Sequence, residues 1–225
     1  MIKNYVLFGG SGFLGTNFQY LLGSKKIEFK NIGSKEINLL DENNKEIIRE
    51  NTKHKNTIYI FFSALTPDKG KDFLTFEKNI KMAKNFLENF NYEDIDTKKI
   101  IYISSDAVYP LSEENINIAS LPTPTDLYSS MHLTREIMFK EKFNNLIILR
   151  PTLIYGYGDT HNSYGPNRFI KQMKENNNCE LRCLNILREA TGYSLADVRK
   201  KFNNPSDQYL TAKQLVELKI ADHIL

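Results

Sequence analysis

Four glycines in Tyr5-Val-Leu-Phe-Gly-Gly-Ser-Gly-Phe-Leu-Gly15 are the residues whose spacing points most directly to chemistry. Gly9, Gly10, Gly12 and Gly15 satisfy G-x-G-x-x-G from Gly10 and G-x-x-G-x-x-G from Gly9. Glycines so placed allow a tight turn and close approach of backbone to a ligand. A helix starting among them adds free N–H groups and a positive dipole end. The chemistry is capture of a pyrophosphate, with Gly9, Gly12, Phe13, Leu14 and Gly15 as the expected dinucleotide contacts. Where a dinucleotide fold would carry an acidic residue for the ribose hydroxyls of NAD, the chain has Asn31-Ile-Gly-Ser-Lys35, with Glu36 only afterwards. The hydroxyl of Ser34 and the ammonium of Lys35 suit a 2′-phosphate better than a bare diol. NADP is therefore favoured and NAD stays open, against the competing reading of a plain surface turn.

Such a cradle works only between a strand and a helix. Tyr5 to Phe8 is a short β-rich run, and the pattern after it is helical, with Leu14, Phe18, Leu21 and Leu22 on one face and Gly23 placed to end it. Ile27–Ile32 reads as a second strand. Ile37-Asn-Leu-Leu-Asp41 reads as a short third strand ending in a carboxylate, Asp41, that could meet the adenine. Thr57–Ala64 is an apolar fourth strand that carries Ser63 and Ala64 to its end. A helix with Phe76, Ile80, Ala83, Leu87 and Phe90 on one face follows, with Asn79 in its middle. Lys99–Ser104 is a fifth strand and Leu146–Leu149 another. Strands alternating with helices make a parallel sheet covered on both faces, a Rossmann-like, doubly wound α/β fold. Ligands in such sheets bind beyond the carboxyl ends of the strands, where Gly9, Ser63 and Ser105 fall.

The bulk composition narrows the partners. Thirty basic against 27 acidic residues leave a formal charge of +3 over 225 residues, too little to argue for nucleic acid. No apolar run approaches the ~20 residues of a membrane span and no signal-peptide pattern opens the chain, so a cytoplasmic protein without a membrane partner is expected. Cys179 and Cys183 are too few for a disulfide framework and have no histidine cluster nearby, so no metal site is expected.

Three later segments carry a resemblance. Ser104-Ser-Asp-Ala-Val-Tyr-Pro110 closes the fifth strand. A proline-bounded loop, Leu121-Pro-Thr-Pro-Thr-Asp126, opens a helix beginning Leu127-Tyr-Ser-Ser-Met-His-Leu-Thr-Arg-Glu136. The last strand runs into Arg150-Pro-Thr-Leu-Ile-Tyr-Gly156. With the glycine motif and the Asn79 helix, these occur in the order found in extended short-chain dehydrogenase/reductases, and residues 1 to about 182 resemble that family of sugar-nucleotide epimerases, dehydratases and 4-keto reductases. The resemblance implies that Tyr128 is the general acid/base, that Ser105 hydrogen-bonds the reacting oxygen and that Asn79 lies near the active site. It further implies that Arg150, Pro151 and Thr152 run beside the nicotinamide, and that Asn162, Asn167 and Arg168 begin to hold a nucleotide-sugar substrate. Homodimerisation is compatible with it.

The physics of those roles exposes a departure. A phenol with a pKa of ~10 is a poor base near neutrality and needs a nearby cation. The family places a lysine one helical turn after the tyrosine, facing the same way. Here that position is His132, whose neutral imidazole lowers a neighbouring phenol far less; it could bond the ribose hydroxyls or act when protonated. Asp106 resembles the aspartate of the dehydratases, but Ala107 replaces their glutamate, which suits reductases and epimerases better.

The tail departs further. Where a substrate-covering lobe would begin near Cys179-Glu-Leu-Arg182, residues from about Leu187 to Leu225 resemble the C-terminal end of the Clp-type protease proteolytic subunit, through Thr191-Gly-x-Ser-Leu and Asp207-x-Tyr-Leu-Thr-Ala212. Ser194-Leu-Ala-Asp197 and Thr211-Ala-Lys-Gln214 read as capping boxes. No nucleophilic-serine or histidine segment accompanies them, so protease activity is not expected. The organisation expected is a dinucleotide-binding domain over 1–182 and a helical tail over 183–225, with an incomplete substrate lobe. The expected function is NAD(P)-dependent keto reduction or epimerisation of a nucleotide-activated sugar. A non-catalytic dinucleotide-binding or scaffold protein is the alternative, and a fragment of a protease subunit the distant one.

Overall fold

The computed structural model describes residues 4–110, 116, 117, 119–152, 154–156 and 158–160, with positions 167, 188, 192–194, 196 and 197. Two units are distinguished, Met1–Ile154 and Tyr155–Leu225.

The first unit is built on five strands: β1 (Asn4–Phe8), β2 (Phe29–Ile32), β3 (Thr57–Phe61), β4 (Lys99–Ile103) and β5 (Leu146–Leu149). They form one sheet in the order β2-β1-β3-β4-β5, and every pairing is parallel. The chain leaves β1 for one neighbour and returns to the other, so the topological switch lies between β1 and β3. There the crevice for a ligand opens. Four helices complete the unit: α1 (Phe13–Ser24), α2 (Lys45–Thr52), α3 (Phe73–Asn89) and α4 (Leu127–Lys142).

Strand register sorts the side chains into two faces with period two. Val6, Tyr59, Ile100 and Leu146 align across the sheet, as do Phe8, Phe61, Tyr102 and Ile148. These pack with Met82, Phe86 and Phe139 in the larger core, together with Ile48 of α2. Phe86 and Phe139 are fully buried, and each side chain so buried contributes roughly 1.5–3 kcal/mol. The opposite face is smaller: Leu7 and Ile60 meet Leu22 of α1, with Phe18 and Ile27 packed against them.

Two sequence expectations need correction. Ile37–Asp41 is not a strand. The N–H groups of Glu36 and Ile37 turn back to the carbonyl of Gly33, and that of Asp41 to Asn38. Ile37 and Leu39 are nonetheless buried, so their alternation reflects a turn pressed into the core rather than a ladder. Gly23 does not end α1; the helix runs through it to Ser24, and Leu21 on the predicted face is half exposed. The stop is a Schellman motif in which Lys26 takes the left-handed conformation (φ 54°) and the Ile27 N–H reaches the Leu22 carbonyl at 3.0 Å. α2 carried no expectation, because its eight residues are mostly polar.

In the second unit, Asn167 Nδ2 donates to the Gly156 carbonyl at 2.7 Å. Ser194 Oγ accepts the Asp197 N–H at 3.1 Å and donates to the Asp197 carboxylate, so the expected cap there forms. Asn162, Arg168, Cys179, Cys183 and the second expected cap at Thr211 lie outside the described residues, as does nearly all of the tail carrying the protease-subunit resemblance.

Candidate active site

The site assembles at the carboxyl edge of the sheet. Gly9 follows β1 with φ +81°, and a Cβ there would come within 2.7 Å of the Ser63 amide nitrogen. Only glycine lets the turn after β1 touch the end of β3 in this way. A Cβ on Gly15 would lie 2.6 Å from the Gly10 carbonyl oxygen, so the first turn of α1 seats directly on the glycine turn. α3 and α4 are capped by Asp72 and Asp126, whereas α1 starts at Gly12 with no side-chain cap. Asn31 Oδ1, beside Gly10, is buried and unpartnered. A close-approach turn and uncapped N–H groups fit the phosphate end of a dinucleotide.

At the end of β2, Ser34 and Lys35 are exposed, while the Glu36 carboxylate folds back to accept the Gly33 N–H at 2.8 Å. Asp41 caps the short helical turn Glu42–Asn44 by accepting the Asn43 N–H at 2.9 Å. Beyond β3, Ser63, Ala64 and Leu65 form the strand-end loop. Asn79, 1% exposed on α3, holds it from both sides of its amide: Oδ1 accepts the Leu65 N–H at 2.8 Å and Nδ2 donates to the Leu65 carbonyl at 3.2 Å. Nδ2 also donates to the Thr75 carbonyl, so Asn79 works here as a clamp on the loop.

Tyr128 stands in the first turn of α4. The Asp126 carboxylate accepts the Ser129 N–H at 2.7 Å and Ser129 Oγ accepts the Asp126 N–H at 3.1 Å, a capping box that fixes this turn after the proline loop. Tyr128 lines a pocket with Lys71, Asp72, Asn79 and Met131. Ser105 caps the short turn Asp106–Val108, which packs on α4; its hydroxyl accepts the Ala107 N–H at 3.1 Å and donates to Asp106.

His132 meets the Tyr128 ring edge-to-face with centroids 4.8 Å apart. Its Nδ1 lies 3.1 Å from the Tyr102 hydroxyl, and its Nε2 is buried without a partner. Burial, with the Arg135 charge as a smaller cause, pushes its pKa down to about 3. The imidazole is neutral near pH 7, which removes the expectation that it acts when protonated. Burial likewise raises the pKa of the Tyr102 phenol.

Residues 5–189 match the NAD dependent epimerase/dehydratase family. The chain belongs to that family. A curated relative, the GDP-6-deoxy-D-talose 4-dehydrogenase of Aggregatibacter actinomycetemcomitans, is 28% identical over 80% of this chain and 63% of its own length. A second, the N-acetyl-alpha-D-glucosaminyl-diphospho-ditrans,octacis-undecaprenol 4-epimerase of Escherichia coli O157:H7, is 25% identical over 73% of this chain and 53% of its own length. The chain thus spans less than two thirds of either relative. Among solved structures, the dTDP-4-dehydrorhamnose reductase of Bacillus anthracis in complex with NADP shares the fold at a TM-score of 0.59 and 22% identity, over 90% of this chain and 70% of that one. Among the described residues no helix is long and apolar enough to cross a membrane, and no group of His, Cys, Asp or Glu could hold a metal.

Within this member of the family, two groups escaped the sequence reading. Glu136, fully buried, accepts from Ser104 Oγ at 2.7 Å and from Arg150 at 2.8 and 2.6 Å, while Arg150 also donates to the Tyr109 hydroxyl. The side chain of Arg150 therefore ties β4, α4 and β5 together, and Glu136 raises its pKa. Pro151 and Thr152 follow directly, with the Pro151 carbonyl accepting the Asp106 N–H at 3.3 Å. The second group is Arg135, seven residues after Tyr128 on the buried face of α4. Its spacing of seven residues from Tyr128, two helical turns on the same side, is the sequence signal that marks it.

Proposed function

We propose that this chain binds NAD(P) and reduces or epimerises a nucleotide-activated sugar at a keto or hydroxyl carbon. The supporting observation is the placement of the Gly9 turn, the Ser63–Leu65 loop and Tyr128 at the carboxyl edge of one parallel sheet. Gly9, Gly12, Phe13, Leu14 and Gly15 would hold the pyrophosphate, with Ser63 and Ala64 lining the loop beside it. Ser34 and Lys35, with Glu36 committed to its own turn, favour NADP over NAD. The nicotinamide, when bound, supplies the hydride chemistry. Tyr128 passes the proton, Ser105 orients the reacting oxygen, and Asn79 sets the loop between them and the cofactor. His132 retains only Nε2 for a ribose hydroxyl, since Nδ1 is taken by Tyr102. Asp106, hydrogen-bonded to Ser105, faces substrate selection rather than proton transfer.

The test is turnover of NADPH or NADH with a panel of 4-keto and 4-hydroxy sugar nucleotides. Tyr128→Phe should lower the rate by about 100-fold or more, the ordinary worth of an acid/base group. Equal rates in wild type and variant would end this mechanism. The neutral His132 favours a second reading, a dinucleotide-binding protein without turnover. It predicts cofactor binding with no consumption on any sugar nucleotide.

A further inference from the structure

Arg135 is fully buried, yet among the described residues no carboxylate pairs with it. Its Nη2 donates to the Ser63 carbonyl at 2.5 Å, its Nη1 meets the Met131 sulfur at 3.7 Å, and its Nε has no partner. The guanidinium lies 5.0 Å from the centre of the Phe61 ring and 5.2 Å from that of Tyr102, so π faces rather than anions hold it. The neighbouring carboxylate, Glu136, is committed to Arg150 and Ser104. A desolvated charge without a counter-ion works against folding, and such groups cluster where a site needs a charge.

Tyr128, His132 and Arg135 stand at helical spacings of four and three, on one side of α4. Burial works to lower the Arg135 pKa, and the phenol groups of Tyr102 first and Tyr128 second oppose that shift. We propose that Arg135 supplies the fixed positive charge that makes the Tyr128 phenol a working proton donor and acceptor, in place of the cation absent at His132. The proposal rests on the reading of Tyr128 as the acid/base group, and it makes Arg135 a positioning residue that acts through the tyrosine. Several other ionisable groups surround the phenol. Lys71 and Asp72 share its pocket from the segment before α3, Asp126 caps its helix, Asp106 lies in the turn packed on α4, and Tyr102 approaches from β4 through His132. Lys71 is exposed to solvent and therefore screened, whereas Arg135 is fully buried.

The experiment is an ultraviolet difference titration of phenolate formation in the full chain, with the Tyr128→Phe variant subtracted to isolate Tyr128. The same pair is then measured with Arg135→Met in both members. The Tyr128 midpoint should rise by about one pH unit or more in the Arg135→Met background, a tenfold change in its acid constant. Arg135→Lys should keep the wild-type midpoint, and adding His132→Lys to Arg135→Met should bring it back down. A buried residue with only a packing role would not follow charge in this way. A midpoint unchanged to within about a quarter of a unit on loss of the charge overturns the proposal. Arg135→Gln, which keeps a donor for the Ser63 carbonyl, serves as the neutral variant if Arg135→Met does not fold. The titration needs no substrate, so equal midpoints would leave the proposed activity standing. A rise in a chain that turns over no sugar nucleotide would separate the two the other way.

Discussion

His132 shows how environment decides what a titratable residue can do. Four residues from Tyr128, its place on the helix face was legible from spacing, but its charge state was not. Desolvation by Tyr102, Tyr128 and the surrounding core holds it neutral, and Arg135 opposes protonation further. A folded pKa of about 3 lies below the ~6.5 of an unfolded histidine, so between those values the unfolded chain binds the extra proton. Stability from this residue is therefore complete above about pH 6.5 and is lost as pH falls toward 3. The urea midpoint of the wild type should drop more between about pH 7 and pH 5 than that of His132→Gln; parallel drops would contradict the assignment. Glu136 was invisible for a different reason. Its partners Ser104 and Arg150 stand 32 and 14 residues away, and only the parallel register of β4 and β5 brings them to one carboxylate.

At the scale of elements, local chemistry wrote most of the boundaries. Asp126 and Ser129 close a capping box from residues three apart in sequence, and the Asp72 carboxylate caps α3 by accepting the Thr75 N–H at the same spacing. The strands β1, β3, β4 and β5 follow their apolar runs to within a few residues. The end of α1 is the exception, because two turn signals compete there. Gly23 is tolerated inside the helix, with open space where its side chain would be, and the reversal falls instead on Lys26 in the left-handed region. A β-carbon in that conformation costs roughly 1 kcal/mol. Lys26→Gly should accordingly raise the unfolding free energy by up to about 1 kcal/mol in urea titration, with cofactor binding unaltered. A loss of stability would mean that the Lys26 side chain holds the turn. The segment Ile37–Asp41 misled for a physical reason as well: an i, i+2 pair of buried apolar residues is common to an edge strand and to a turn folded against the core.

For the whole molecule, the cradle and Tyr128 matter only if the first unit binds its cofactor. Thermal unfolding of the full chain with NADPH, NADH or neither measures this directly. A ligand specific for the native state, at a hundred times its dissociation constant, adds ~2.7 kcal/mol and raises the midpoint. The shift should be larger with NADPH, because Ser34 and Lys35 are exposed at the end of β2 and the Glu36 carboxylate is engaged by Gly33. A larger shift with NADH would reverse the preference, and none with either would remove the proposed function. The sequence by itself determined the family, the parallel α/β architecture, the glycine turn and the place of Tyr128 at the start of its helix, because each is carried by neighbours along the chain whose periods and caps act locally. Only the tertiary structure decided that Glu136 and Arg150 brace the strand ends, that Asn79 is spent on clamping Leu65, and that His132 is neutral with a buried guanidinium one turn beyond it. Those outcomes depend on desolvation and on contacts between distant segments, which no local pattern records.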